Sequence, residues 1–222
     1  MWDVLGLVCL IVTIVFTLYL VLALGWRMRR LTRLRAFAAE HHLQQERPER
    51  SLLSLTRGAP FASVSPPPRP PVVRTVFRGV WKRYSLVAFE FRRGLPMQVV
   101  SVTLPKSYPF LQVTVRLLGR QRVDVAGAVE HQTADDRFTT RYRADSTNDR
   151  FAEVVLTPDL RDWLSSGDRK KGFQWTVDGD RLVTWRHGPP DSQGGQSIPV
   201  MAEFLVGLAD HIEDVTENID FD

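Results

Sequence analysis

The stretch RYSLVAFEFRRGLPMQVVSVTLP, residues 83–105, decides the fold class of this chain. Two runs in it, RYSLVAFEF and MQVVSVTLP, are rich in β-branched and aromatic residues and alternate with a period of two, which is typical of β-strands. Gly94-Leu95-Pro96 breaks the pattern between them and indicates a turn. The stretch therefore predicts two neighbouring antiparallel strands.

The same pattern continues outward on both sides. VVRTVF (72–77) precedes the stretch, with a turn at Arg78-Gly79, and FLQVTVRLL (110–118) follows it after Pro105 and Pro109. These runs predict four consecutive strands of an antiparallel meander. Three later runs predict further strands: FTTRYRA (138–144), and FQWTV (173–177) with RLVTWR (181–186), which form a hairpin around Asp178-Gly179-Asp180 with a loop of two or three residues.

Helical signals lie between and after these later strands. The segment 146–167 is predicted as helical, with Ser146 or Asn148 as its cap and with Pro158 starting a second short helix capped by Thr157. The segment 199–219 predicts an amphipathic C-terminal helix. Its apolar face repeats at helical spacing in Met201, Leu205, Leu208, Ile212 and Val215.

These elements predict an α+β class rather than a doubly wound one, because nothing alternates as β-α-β-α. We expect six to eight antiparallel strands in a curved sheet or partial barrel, with the C-terminal helix packed on it. A pleckstrin-homology-like outline is one form of this arrangement, and as a fold-level analogy it carries little functional weight.

The N-terminal residues 4–26 carry no charge and are long enough for a bilayer core of roughly 30 Å. A core helix of a soluble domain would normally show a polar stripe. A cleaved signal peptide would have a positive start and an apolar run of roughly 7–15 residues, whereas Asp3 precedes this longer run. The sequence therefore favours a permanent transmembrane anchor over both alternatives.

Basic residues are concentrated at one end of this run. Cytoplasmic flanks of membrane helices carry an excess of Lys and Arg, which predicts an N-terminus outside and a cytoplasmic C-terminal domain in the cell membrane. We expect an indole and five arginines to lie at the membrane interface, the arginines within reach of anionic lipid headgroups. The membrane-interface residues are Trp26, Arg27, Arg29, Arg30, Arg33 and Arg35.

Composition changes divide the chain into four parts. They are the anchor (4–26), a juxtamembrane basic helix (27–47), a proline-rich linker or arm (48–71) and the α+β domain (72–222). The prolines between Pro60 and Pro71 favour an extended polyproline II segment, either a spacer or an arm laid over the domain. A proline-reading partner domain is a less favoured interpretation of the same segment.

Local motifs for chemistry are missing from the sequence. No phosphate-binding glycine loop or nucleophile elbow occurs, and Cys9, the single cysteine, lies within the predicted anchor. The five histidines, at 41, 42, 131, 187 and 211, lack metal-ligand spacing, so we expect neither a metal nor a cofactor. The acidic clusters at 135–136 and 145–149 are better explained as turn and capping residues.

Basic and aromatic residues alternate in RTVFRGVWKRYS (74–85), and 25 of the 29 basic residues are arginine. Such interleaving can build a nucleic-acid platform. The aromatic and basic positions do not keep one parity along a strand, however, and nucleic acid is not the expected partner.

Four segments together resemble a group of actinobacterial membrane-anchored proteins of unknown function: RGAPF (57–61), RTVFRGVWKRYSLVAFEF (74–91), VTLPKSYPFLQV (102–113) and RFTTRYRADSTNDRFAEVVLTPDLRDWL (137–164). The resemblance implies a single transmembrane helix followed by one cytoplasmic α+β domain. It implies no activity and no catalytic residues.

Two functional hypotheses follow. The first is a membrane-tethered binding or scaffold module that holds a protein partner, a lipid headgroup or a small ligand. The second is a hydrolase or transferase whose dispersed active site leaves no local motif. The positions of Glu90, Arg116, Glu130, Arg141 and Glu153, charged residues that break the apolar pattern, should distinguish them, because an active site would bring such groups together in one cleft.

Overall fold

The predicted α+β class is confirmed in the part of the chain that a computed structural model describes. This part comprises residues 13–22, 24–25, 28, 32, 36, 38–61, 70–92, 96–116, 125–166, 173–187 and 197–221. An antiparallel sheet of seven strands carries helices on one face. The described sheet ends at its first and fifth strands without closing, so it is open rather than a barrel.

The strands are β1 (Gln44–Glu46), β2 (Val72–Trp81), β3 (Tyr84–Arg92), β4 (Pro96–Val115), β5 (Val129–Glu130), β6 (Tyr142–Ser146) and β7 (Gln174–His187). Beyond the N-terminal helix, the described α-helices are α1 (Asp136–Arg141), α2 (Asp149–Val155), α3 (Pro158–Ser165) and α4 (Ser197–Thr216), and Arg50–Ser54 forms a short 3-10 helix. Strands β2, β3 and β4 pair in chain order, as predicted for the start of a meander.

Strand β7 doubles back on itself near its middle. The Thr184 hydroxyl donates to the Gln174 carbonyl at 2.7 Å, although ten residues of extended strand would separate them by roughly 33 Å. Gly179 lies between them with a left-handed φ of 62°. The two halves of β7 are therefore the predicted hairpin, with its tip at residues 178–181.

Strand β4 passes around that tip. Its first half pairs with the second half of β7, from Met97 opposite His187 to Thr103 opposite Arg181. Its second half pairs with the first half of β7, and the register shifts between Thr103 and Tyr108 because the outer path is longer. The sequence predicted that these two halves of β4 would be neighbours in a meander. That prediction is wrong, because the β7 hairpin lies between them.

The prolines of β4 lie at this change of direction. Pro105 and Pro109 fall in the stretch where the register with β7 shifts, and proline cannot donate a hydrogen bond to a neighbouring strand. The order across the sheet is thus β1, β2, β3, the first half of β4, both halves of β7, the second half of β4, β6 and β5.

The two faces of the sheet carry different coverings. One face packs against the helices, and α4 buries Met201, Leu205, Leu208 and Ile212 there, as the sequence predicted, with Val215 partly buried beside them. Asn148 caps α2 and Thr157 caps α3 through their side chains, which confirms two predicted helix starts.

The opposite face is covered by residues 50–61, which we call the strap. Leu52 and Ala59 of the strap are buried against the apolar side chains of that face, among them Phe89 and Trp185. The Ala59 amide donates to the Gln112 side chain at 2.7 Å. Arg57 holds Asp178, at the hairpin tip, through its amide and its guanidinium.

Two elements have a secondary structure that differs from the prediction. FTTRYRA (138–144) was predicted as a strand, but α1 takes its first half, because the Asp135 side chain accepts hydrogen bonds from the amides of Arg137 and Phe138. The predicted juxtamembrane helix 27–47 also ends early. Residues 44–46 form β1, which pairs with β2. The division of the chain into domains at residue 72 stays a prediction.

The described residues 13–22 are helical, with exposed apolar side chains such as Ile14 and Leu22. Within the described residues, no helix combines the length and apolar character that crossing a membrane requires. Residues 4–12, 23 and 26 of the predicted anchor 4–26 lie outside the described part.

The packing of the strap allows a matched pair of glycine substitutions. A Cβ at Gly58 would lie 2.5 Å from Oε1 of Gln112 and 2.8 Å from the Phe110 ring, whereas a Cβ at Gly207 of α4 meets nothing within 4 Å. We expect Gly58→Ala to lower the free energy of unfolding by about 1–3 kcal/mol through overpacking. Gly207→Ala should raise it by about 0.5–1 kcal/mol, since alanine favours the helix.

Chemical unfolding of the detergent-solubilised full chain would measure both changes. A neutral or stabilising effect of Gly58→Ala would contradict the close contact between the strap and the sheet.

Candidate functional site

The predicted membrane-interface residues cannot be placed by the described structure. Trp26, Arg27, Arg29, Arg30, Arg33 and Arg35 all lie outside the described residues. Their position at a membrane surface stays a prediction.

The end of the N-terminal helix is packed tightly against the sheet. Residues 38–46 form what we call the anchor joint, in which Ala38 and Leu43 are buried. Gly79 of β2 makes room for this segment, because a Cβ there would lie 2.6 Å from the Leu43 side chain. The His41 ring lies 4.4 Å from the Trp81 ring, centroid to centroid. Residues 38–46 are thus packed directly on the sheet.

The turn between β2 and β3 brings basic residues to α4. Trp81 donates from Nε1 to Oε1 of Glu203 at 2.9 Å, and Lys82 donates from Nζ to the other carboxylate oxygen at 2.7 Å. These bonds, first that from Lys82, hold the pKa of the Glu203 carboxyl below its usual value despite partial burial. Lys82 has a left-handed φ of 53° in a two-residue turn, a conformation that favours glycine.

Two carboxylates converge on Tyr84 one step further along α4. The Tyr84 hydroxyl lies 2.8 Å from Oδ1 of Asp210 and 2.7 Å from Oε1 of Glu213. Nη2 of Arg83 donates to the same hydroxyl and also contacts both carboxylates. We call these four residues the tyrosine lock. It fastens the β2–β3 turn to α4, at the edge of an open cleft of about 420 Å³.

The chemistry of the tyrosine lock is that of a neutral phenol. Burial, followed by the bonds to Glu213 and Asp210, raises the pKa of the Tyr84 hydroxyl, and the bond from Arg83 offsets this only in part. A phenol with a raised pKa is a poor general acid or base near neutral pH, where the best catalytic groups have a pKa near that pH. The tyrosine lock is therefore suited to stabilising the fold and poorly suited to catalysis.

Contacts with α4 account for the end of the basic and aromatic motif, residues 81–84. Lys82 and Arg83 form ion pairs with acidic residues of α4, and Trp81 is buried. These side chains face a helix of their own chain and not an open platform for nucleic acid.

An aromatic groove begins next to the Lys82–Glu203 pair. Trp163 of α3 stacks on Phe204 of α4, with ring centroids 5.3 Å apart and an interplanar angle of 8°. Pro199, Val200 and Glu203 complete an open groove of about 250 Å³. Its lining is apolar except for the Glu203 carboxylate.

A polar cleft lies along α3, between that helix and α1. It has a volume of about 740 Å³ and is lined by Asp136, Arg137, Thr140, Asp162, Ser165 and Ser166. The lining offers two carboxylates, one guanidinium and three hydroxyl groups. The Ser165 hydroxyl is buried and has no hydrogen-bond partner among the described residues. Sequence reasoning missed both the groove and the cleft, since each is assembled from separate helices.

The charged residues that break the apolar pattern do not share one cleft. Arg116 and Glu130 pair at 2.5 Å and are joined by Arg143 of β6. Arg141 instead donates to the carbonyl of Ser165, the last residue of α3. Glu90 lies on β3 opposite Arg74, and Glu153 is exposed on α2.

A histidine and a carboxylate do meet elsewhere, where Nδ1 of His131 bonds Asp149. Asp149 is 73% exposed at the surface, which is unlike a catalytic pair within a cleft. Among the described residues, no three His, Cys, Asp or Glu side chains are grouped to hold a metal ion.

Comparisons with known proteins yield a structural neighbour. No protein-family model and no curated protein matches the sequence. The crystal structure of the mycobacterial trehalose monomycolate transport factor A, TtfA, shares the fold with a TM-score of 0.61 at 10% sequence identity. The match covers 85% of this chain and 95% of that one. At this identity the likeness concerns the fold alone.

The raised pKa of Tyr84 predicts a pH dependence of stability. Because the folded-state pKa lies above the usual value of about 10, the neutral Tyr84 hydroxyl contributes its full stabilisation of the fold below pH 10. This stabilisation is lost as the pH rises through the folded-state pKa. Tyr84→Phe should therefore lower the free energy of unfolding at pH 7 by about 1–2 kcal/mol through lost hydrogen bonds. The variant should then lose less stability than the wild type above pH 10.

Unfolding curves of both proteins at pH 7, 10 and 11 would measure this difference. Parallel pH profiles for the two proteins would show that the Tyr84 hydroxyl is not held in its neutral form by the lock.

Proposed function

We propose that this chain is a membrane-tethered binding module, without catalytic activity of its own, that assists the transport of an acylated sugar. The observation that carries the proposal is the fold, which is shared over 85% of the chain with a trehalose monomycolate transport factor. The chemistry of the chain's own clefts supports the choice of ligand.

The proposal includes the membrane arrangement predicted from sequence. Residues 4–26 cross the cell membrane, the N-terminus lies outside, and the domain lies on the cytoplasmic side. The arginines at 27, 29, 30, 33 and 35 then contact anionic headgroups, each worth roughly 1 kcal/mol near the surface. The buried Ala38 and Leu43 hold the anchor joint against the domain.

The charges of the described clefts favour an uncharged ligand. The basic residues of the β2–β3 turn are paired with acidic residues of α4. The described lining of the polar cleft between α1 and α3 holds two carboxylates and one arginine, and Arg141 donates to the carbonyl of the lining residue Ser165. Opposite charges are thus present together in this cleft, and sugar hydroxyl groups can both donate to carboxylates and accept from arginine.

An enzymatic function has one observation in its favour, the two carboxylates that meet at Tyr84. Arg83 bridges both carboxylates, and the phenol between them is held neutral, so this arrangement supports a structural lock. We therefore favour the binding module over a hydrolase or transferase.

The membrane arrangement predicts the protease sensitivity of tagged protein. A tag placed after residue 222 should resist protease added to intact spheroplasts and be digested once the membrane is permeabilised. A tag placed before Met1 should be digested from outside. The opposite pattern would overturn both the orientation and the cytoplasmic location of the domain.

The proposed function predicts a transport defect in the organism that encodes the chain. Depletion should leave the synthesis of acylated sugars unchanged and lower the fraction that is accessible at the cell surface, measured by pulse labelling with acetate. Wild-type protein and the Gly207→Ala variant should both restore that fraction. An unchanged distribution between inside and surface would contradict the function.

A further inference from the structure

The last turn of α3 separates two surface sites, one apolar and one polar. Trp163 lines the aromatic groove on one side, and Asp162, Ser165 and Ser166 line the polar cleft on the other. The inner side of α3 is fixed by Leu160 and Leu164, which are buried in the core. A helix is about 10 Å across, so one ligand of modest size can contact both sites.

The aromatic groove suits the first part of an acyl chain. Phe204 and the partly buried Val200 and Trp163 present apolar surface at an open groove of about 250 Å³. Removing apolar surface from water favours binding. The carboxylate of Glu203 at its rim is already bonded by Trp81 and Lys82, so it does not require a cationic ligand.

The polar cleft suits a sugar. Its hydroxyl, carboxylate and guanidinium groups provide donors and acceptors side by side. Ser165 adds a buried hydroxyl without a partner among the described residues, and each such group calls for an explanation. With Arg141 at the Ser165 carbonyl, the described charges of the cleft are close to balance, which favours a neutral ligand.

The anchor joint lies at the same end of the domain as the aromatic groove. The His41 ring contacts the ring of Trp81, Trp81 bonds Glu203, and Glu203 lines the groove. A ligand in the groove therefore lies close to the point where the chain leaves for the membrane.

We propose that α3 is the ridge of a binding site for a neutral acylated sugar, with the sugar in the cleft between α1 and α3 and the start of the acyl chain in the groove between α3 and α4. This inference rests on the proposed function and names its ligand site. The site differs in chemistry from the predicted contact of the juxtamembrane arginines with anionic lipid.

The test uses the full chain in phosphatidylcholine nanodiscs. The probe is trehalose monopalmitate with a diazirine near the start of the acyl chain, and mass spectrometry locates the photolabel. We expect labelling at Trp163 and within residues 197–206. Unlabelled trehalose monopalmitate should compete with the probe, and phosphatidylglycerol should not.

Two matched pairs of variants test the aromatic groove and the polar cleft independently. Val200→Glu places a charge in the groove and should lower labelling at least about tenfold, whereas Val80→Glu, on an exposed part of β2, should not. Asp162→Asn should raise the concentration needed for half-maximal labelling about tenfold, as expected for a lost charge-assisted hydrogen bond. Asp159→Asn, an exposed position on the same helix, should leave it unchanged.

Equal competition by phosphatidylglycerol would overturn the assignment of a neutral sugar. Labelling that survives Val200→Glu would overturn the groove, and unchanged affinity in Asp162→Asn would overturn the cleft. Failure of labelling together with a surface-transport defect on depletion would reject this site and leave the proposed function in place. Labelling without a transport defect would reject the function and leave the site.

Discussion

The insertion of the β7 hairpin between the two halves of β4 is the constraint on which the rest of the structure depends. Trp175 and Leu182 of this hairpin are fully buried, and its tip provides Asp178 for the strap. Without the hairpin, β4 would have no partner along one edge, and the strap would lose the contacts that Arg57 makes with Asp178. The helices also need it, because the sheet face under α4 includes side chains of both hairpin strands.

The sequence predicts which strands and helices form better than it predicts how the strands pair. Alternation predicts β2 and β3, helical spacing predicts α4, and short polar side chains predict the caps at Asn148 and Thr157, because all of these signals lie within a few residues. The pairing of residues 97–103 with 181–187 is different, since some 80 residues lie between the partners. A local pattern cannot distinguish it from a simple meander, and the same holds for β1, whose strand character comes from its contact with β2.

The ion pairs of the candidate site also join residues that lie far apart in the sequence, so local patterns do not reveal them. The basic and aromatic motif around Trp81 is visible in the sequence, but its partners Glu203 and Asp210 lie more than 120 residues later. A reader of the sequence sees unpaired positive charge where the folded chain has ion pairs. The groove and cleft beside α3 are shared among three helices, so no spacing rule could have found them. The interface arginines are predicted from a local charge run, and they lie outside the described residues.

The strap has a consequence for the order of events during synthesis. Arg57 leaves the ribosome long before its partner Asp178, which lies 121 residues later. At a translation rate of roughly 5–20 residues per second, the delay is on the order of 6–24 s. In the proposed arrangement, the N-terminal helix is already inserted while one face of the growing sheet waits for the hairpin that will complete it. A nascent chain with an exposed apolar face, held at the membrane surface, is a natural client for chaperones that act there.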